Sequence, residues 1–468
     1  MIEITPLLEN KNGSPIYLQL YNYIKQEIER GRYQANEKLP SIRKLALYLD
    51  ISQNTVESSY QQLLAEGYIE SVPKRGFYIQ QIDEELSVVK RHKPFPLAES
   101  DSSFEKVDYH IDFHQASIDL ALFPISEWKK CSNEVLHNRS IFDYGHPQGE
   151  MSLREQLAYY LHFSRGVNCT PEQIVVGAGT QQLLGMLCLI FKQCESSIAI
   201  ENPGYKGAKD VFLNHGLDVE PIRVEADGIS VNELKKSKNK IVYITPSHQY
   251  PTGVITSITK RRQLLKWAIE TEGYILEDDY DSEFRYVGRP IPSLQGLDLN
   301  ERVIYLGTFS KSFSPALRVS YMVLPKSMLN QYKKMYASYD QTVSKIHQEA
   351  LALFIERGYL TRHIRRIRKL NRQKREVLLK AISKYMGMNV NVVGEKSGVY
   401  ILLEIKLSET EETLIQLAKK AKIRVYPTSP YWTDYRSIDF PKIQLGFGGL
   451  NEVEIKEGIY LLSKIWFK

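Results

Sequence analysis

Cysteine is scarce in this chain, with four residues in 468. Cys131, Cys169, Cys188 and Cys194 form no CxxC pair, which argues against a disulfide framework and a zinc site and leaves no metal centre in view. Such usage fits a reducing cytoplasm. Long apolar runs are also missing. The longest, near Leu183 to Phe191, is too short to span a bilayer. The opening Met1-Ile2-Glu3-Ile4-Thr5 lacks the basic and apolar regions of a secretory signal. Neither sign of charge dominates. A net charge of +6 permits an anionic partner without demanding one. What remains is 43% hydrophobic and 25% charged, a soluble globular composition, long enough for two or three domains.

Residues 15 to 80 read as a compact helical domain ending in a hairpin. Leu20, Tyr23, Ile24 and Ile28 recur with helical period. Pro40-Ser41 opens a short helix carrying Ile42, Leu45, Ala46 and Leu49, and Asp50-Ile51 breaks it. Ser52 is a cap for a helix from Gln53 to Ala65, stopped by Gly67. Tyr68 to Val72 and Gly76 to Ile79 then alternate as strands around Pro73-Lys74-Arg75. Helix, short turn, helix and hairpin make a winged helix-turn-helix. Its second helix would present Gln53, Asn54, Thr55 and Ser58 to base edges or phosphates. Ser41, Arg43, Lys74 and Arg75 are further contacts to double-stranded DNA. Acidic and basic residues nearly cancel here, and a small helical interaction domain would carry the same pattern. Residues 81–108, with Pro94, Pro96 and scattered serines, read as a tether or as a segment wrapped on the larger domain.

From about Tyr109, short apolar runs alternate with helical patterns. Ile174-Val176, Ser197-Ile200, Lys240-Ile244, Tyr274-Leu276 and Val303-Leu306 predict an α/β domain with a largely parallel sheet. Ligands in such sheets gather at the carboxyl ends of strands. Gly179, Thr180 and Gln181 follow the first of these strands and open a helix, a phosphate cradle or a plain turn. Asp278 and Tyr280 follow another, where a carboxylate beside a pyridinium nitrogen keeps it protonated. A turn at residues 246–253 contains His248. Gly307-Thr308-Phe309-Ser310-Lys311-Ser312 places a lysine at the mouth of a buried strand, among small hydroxyls, with Arg318 as a bidentate phosphate clamp. A lysine so placed is what pyridoxal 5′-phosphate (PLP) needs.

LPSIRKLALYLDISQNTVESSYQQLLAEGYI followed by KRGFYI resembles the winged helix of the GntR family. Gln53 departs from that family's usual arginine. HPQGEMSLREQLAYYLHFSRGVNC, VGAGTQQLL, ENPGY, TPSHQYPTG, EDDYDSEF and GTFSKSFSPALRVSYM resemble the fold-type I aminotransferases. Together they resemble the MocR/GabR subfamily of GntR regulators, which fuses the two. The resemblance covers nearly the whole chain. It implies a DNA-binding domain at 1–80, a linker at 81–108 and an aminotransferase-like effector and dimerisation domain at 109–468. The last would hold a large, mostly parallel sheet and a smaller C-terminal α+β part. It further implies Lys311 as Schiff-base lysine, Asp278 on the pyridine nitrogen and Tyr280 on the ring hydroxyl. Gly179, Thr180, Gln181, Thr308, Ser310 and Arg318 would hold the phosphate, and Tyr205 and His248 would line the ring. In a head-to-tail homodimer Tyr144 would reach the neighbour's site.

Departures from an enzyme stand out. Tyr250 occupies the place of a ring-binding asparagine. Residues 444–450 carry glycine where such enzymes have a carboxylate-binding arginine, and Gly207 stands where GABA-sensing regulators have another. A carboxylate without its guanidinium partner loses about 1.5–3 kcal/mol, ten- to a hundredfold in affinity. Arg424 and Arg436 are the candidate replacements. The expectation is a transcriptional regulator, not an enzyme, with PLP as effector and control of vitamin B6 synthesis, as in the pyridoxine-regulator branch. An amino-acid sensor and an active aminotransferase tethered to DNA are the alternatives. The basic run from Arg362 to Arg375 reads as a solvated helix face or a second DNA contact.

Overall fold

Side-chain caps and one shared core fix the amino-terminal elements. The computed structural model describes residues 4–6, 14–81, 108–286, 292–433 and 440–467. Helices α1 (Ile16–Glu29), α2 (Ile42–Leu49) and α3 (Gln53–Ala65) precede a hairpin of β1 (Ile69–Val72) and β2 (Gly76–Ile79). The Oγ atoms of Ser41 and Ser52 accept from the backbone N–H of Lys44 and Thr55, satisfying donors that a helix start leaves orphaned. Asp50, in the left-handed region at φ 54°, ends α2 and makes the tight turn. Leu20, Ile24, Leu45, Val56, Tyr60, Leu63, Ile69 and Ile79 are buried together. This is the expected winged helix. The chain divides after Lys106 into two compact units, and the expected tether falls almost wholly outside the described residues.

The second unit opens with β3 (Ile111–Asp112) and then builds one large sheet. Its strands are β4 (Ile174–Gly177), β5 (Ser197–Asn202), β6 (Asp218–Glu225), β7 (Gly228–Ile229), β8 (Ile241–Ile244), β9 (Tyr274–Asp278), β10 (Val303–Thr308) and β11 (Ser320–Val323). The order is β4-β11-β10-β9-β8-β5-β6-β7. From β10 across to β6 the neighbours are parallel, while β11 runs antiparallel between β10 and β4. Strand alternation feeds both faces. Leu276 and Ile304 join Leu183 and Phe212 in one core, whereas Ile275 and Val303 join Leu264 and Trp267 in another. That double burial explains why these strands read as continuous apolar runs.

A smaller antiparallel sheet follows. It contains β12 (Val390–Val393), β13 (Tyr400–Ile405), β15 (Tyr426–Pro427) and β16 (Lys442–Gly446), in the order β12-β13-β16-β15. The short β14 (Ile423–Arg424) pairs in parallel with β3, tying the start of the unit to its end. The helix Tyr359–Tyr385 packs on the helix Glu452–Trp466 beneath this sheet. Among the described residues no helix is long and apolar enough to cross a membrane.

Candidate functional site

Because β5, β8, β9 and β10 are parallel, the turns after them open on the same edge of the sheet. Lys311 lies three residues beyond the end of β10. Its Nζ donates to the Gln115 carbonyl at 2.6 Å. Burial lowers this amine to about 8, with the Asp281 carboxylate opposing. Near neutral pH it therefore has a larger uncharged, nucleophilic fraction than an ordinary lysine.

Three consecutive carboxylates, Glu277 and Asp278 at the end of β9 and Asp279 just after it, go to different partners. Glu277 accepts from the backbone N–H of Leu294 and Gln295 at 2.7 and 2.9 Å. Asp279 accepts from Arg165 Nε and the Tyr305 hydroxyl, both at 2.6 Å. Burial pushes Asp279 up, but Arg165 and Tyr305 outweigh it and leave the acid below its usual value. Asp278 turns the other way. Its Oδ2 accepts from the Tyr243 hydroxyl at 2.6 Å, while its buried Oδ1 has no partner among the described residues. Burial raises Asp278 to about 7, the Tyr243 bond opposing and Asp279 adding to it.

Tyr280 donates its hydroxyl to the His248 carbonyl at 2.9 Å and lies 3.1 Å from the Tyr400 hydroxyl. His248 faces Asp281 through Nδ1 at 2.7 Å, and its buried Nε2 has no partner among the described residues. Tyr205 meets Tyr250 edge-on, with ring centroids 5.9 Å apart.

At the same edge, just beyond β4, Gly179 precedes the helix Thr180–Phe191 with φ 110°. A Cβ there would lie 2.2 Å from Arg318 Nη2, so only glycine leaves the guanidinium its place beside the helix start. Arg318 donates to the Ala178 carbonyl at 3.3 Å. Thr308 Oγ1 donates to Ser310 Oγ at 3.0 Å and accepts from Ser320 Oγ at 2.8 Å. Gln181 reaches the Gly207 carbonyl at 3.4 Å. Helix N–H groups, hydroxyls and a guanidinium make an anion cradle.

The sequence reading missed Tyr243, Ser320, Gln115 and Gln444. Tyr243 sits mid-run in β8, and Ser320 comes opposite Thr308 only through the antiparallel register of β11. In residues 444–450 it is Gln444, fully buried, whose side chain reaches Tyr250: the Tyr250 hydroxyl donates to Oε1 at 3.4 Å, and Nε2 has no partner among the described residues. Gln115 Nε2 approaches the same hydroxyl at 3.5 Å. Gly207 is tightly enclosed, since a Cβ would lie 2.5 Å from the Tyr205 ring. Arg424 is engaged by Asp112 at 3.7 Å and the rings of Tyr109 and Tyr426, and Arg436 lies outside the described residues. Tyr144 stands apart from this set, 85% exposed beside Asp340 and Lys345.

In the first unit, Gln53, Asn54 and Ser58 are exposed along the start of α3, as are Arg43, Lys74 and Arg75. The hydroxyls of Ser41 and Thr55 have local work as well. Ser41 caps α2, and Thr55 lies 2.8 Å from Ser52 Oγ.

Residues 115–441 match the family described as aminotransferase class I and II, and residues 16–79 match bacterial regulatory proteins of the gntR family. The chain is thus a fusion of a GntR-type helix-turn-helix, a DNA-binding module, with an aminotransferase fold. A helix-turn-helix transcriptional regulator of Bacillus subtilis, YdeL, is 43% identical over 99% of this chain and 100% of its own length. A rhizopine catabolism regulatory protein of Rhizobium meliloti, MocR, is 30% identical over 97% and 94%. The chain belongs to the MocR subfamily of GntR regulators. A pyridoxine biosynthesis regulator of Corynebacterium glutamicum, PdxR, is 30% identical over 77% of each chain. Among solved structures, kynurenine aminotransferase of Pyrococcus horikoshii superposes with a TM-score of 0.70 at 26% identity, covering 78% of this chain and 92% of that one. The aminotransferase fold implies PLP. The residues fit it: a partnerless buried carboxylate oxygen, a buried amine of lowered basicity and an anion cradle share one edge of the sheet.

Proposed function

We propose that this regulator senses PLP and controls genes of vitamin B6 synthesis. PLP, when bound, supplies an aldehyde that condenses with an amine and a ring that accepts electrons. Lys311 offers the amine. Asp278 Oδ1 holds the proton at the ring nitrogen, and Tyr280 bonds the ring hydroxyl. Gly179, Thr180, Gln181, Thr308, Ser310 and Arg318 hold the phosphate, with Ser320 orienting Thr308. Tyr205 and His248 line the ring. In a head-to-tail homodimer Tyr144 completes the neighbour's site. In the cytoplasm the winged helix reads its operator through Gln53, Asn54, Thr55 and Ser58, with Ser41, Arg43, Lys74 and Arg75 on the backbone. PLP acts because it binds the DNA-competent and DNA-incompetent arrangements unequally.

The observation that carries this reading is the uncharged wall beside Lys311. Gln444, Tyr250 and Gln115 present amides and a phenol. An arginine at Gly207 would fit only if Tyr205 swung aside. Among the described residues an amino-acid carboxylate therefore finds no cation on this wall, whereas the amine, acid and anion cradle that PLP calls for are all present. The likeness to PdxR supports the B6 assignment. Titration of the PLP-loaded protein with GABA, glutamate, aspartate and alanine is the test. No heat and no change in the absorbance band are expected. Micromolar binding with a band shift would instead establish an amino-acid sensor, and single-turnover consumption an aminotransferase.

A further inference from the structure

The DNA-reading module is nearly neutral. Residues 16–79 carry eight Lys and Arg against seven Asp and Glu. Phosphate neutralisation supplies most non-specific affinity for DNA, so a reader of this charge contributes little of it. The charge lies elsewhere. The helix Tyr359–Tyr385 carries ten Lys and Arg and one acid, Glu376, in 27 residues.

The structure separates these cations into two groups. Arg368 donates to the Glu283 carbonyl, Lys374 to Asp119 and the Gly448 carbonyl, and Arg375 to the Glu395 carbonyl. These tie the helix to its own unit. Arg362, Arg365, Arg366 and Lys369 are exposed, and none pairs with a described carboxylate. Their spacing of i, i+3, i+4 and i+7 aligns them on one face. Arg372 extends the stripe: it is exposed, although one of its N–H groups donates to the Tyr286 carbonyl at 3.3 Å. From Arg362 to Arg372 it runs about 15 Å at ~1.5 Å per residue. A duplex displays about nine phosphates over that length, at one per ~1.7 Å. Like charges at i,i+4 oppose helix formation. The opposite face, with Leu360, Ile364, Ile367, Leu378 and Ile382 buried, holds the helix regardless.

We propose that this stripe is a second DNA contact, a backbone clamp carried by the aminotransferase-fold unit. It reads no sequence and binds phosphates flanking the operator. The inference rests on the DNA-reading role of the winged helix.

The experiment measures log K against log salt for the full-length chain on its footprinted operator, cut to about 20 or about 60 base pairs. Each phosphate contact adds ~0.9 to the slope. The wild-type chain should give a slope steeper by about 3 on the longer duplex. R365E/R366E/K369E should remove that difference and weaken long-duplex binding tenfold or more at ~0.1 M salt, leaving the short duplex unchanged. R365A/R366A/K369A, which introduces no acid, should move the slope the same way. Equal wild-type slopes on both duplexes overturn the proposal, whatever the variants do. If the wild-type chain binds neither duplex, the DNA-reading role fails and the clamp with it.

Discussion

On the proposed reading, ligand capture depends on Lys311 and Asp278. Replacing Lys311 by alanine should abolish the absorbance band of protein-bound PLP and its fixation by borohydride, read by spectrum and intact mass, with little change in unfolding midpoint. The pH dependence follows from burial. A depressed lysine favours the neutral amine, so the rate of PLP capture should rise with pH and level off above about 8, as seen by stopped-flow absorbance. An unperturbed lysine would still be accelerating there. Lys311, Asp278, Tyr280 and Arg318 were legible because each sits in a short motif beside a strand end. Gln444 and Gln115 were not. Both reach Tyr250 across long stretches of sequence, and nothing in a neutral amide's local context announces such a meeting.

At the level of single elements, two turns matter most. Gly179→Ala forces a Cβ against Arg318 at φ 110°, and PLP affinity should fall tenfold or more with the far-ultraviolet spectrum unchanged. Ser52→Ala removes the cap of α3 and should cost the first unit about 1 kcal/mol, measured by urea unfolding. Caps and periodicity made α1 to α3 and the hairpin readable almost to the residue. The central strands were readable from their apolar runs. β6 was not, since Pro221 interrupts DVEPIRVE and the strand is only partly buried near the sheet edge. β11 was absorbed into the lysine motif, although its antiparallel course is what brings Ser320 to Thr308.

For the whole molecule, two compact units, each with its own buried apolar residues, predict two melting transitions. PLP at a hundred times its Kd should stabilise only the second unit, by about 2.7 kcal/mol, visible in calorimetry as a shift of one peak. A shift of both would show that the ligand's signal crosses to the reader as folding free energy. The fusion itself was the easiest feature to read, because each half carries its own motif set.

The partnerless oxygen of Asp278 has a consequence for how such a protein changes over generations. Its neighbours Glu277 and Asp279 are held by backbone amides and by Arg165, and losing either would damage the fold. Asp278 is a cost to the empty protein: a buried acid, raised to about 7, with one unsatisfied lone-pair face. Substitution by asparagine should make the ligand-free chain sturdier while weakening its grip on PLP. On the proposed reading only continued selection for PLP capture keeps an acid there, so a lineage released from that demand would shed Asp278 early and keep the scaffold around it.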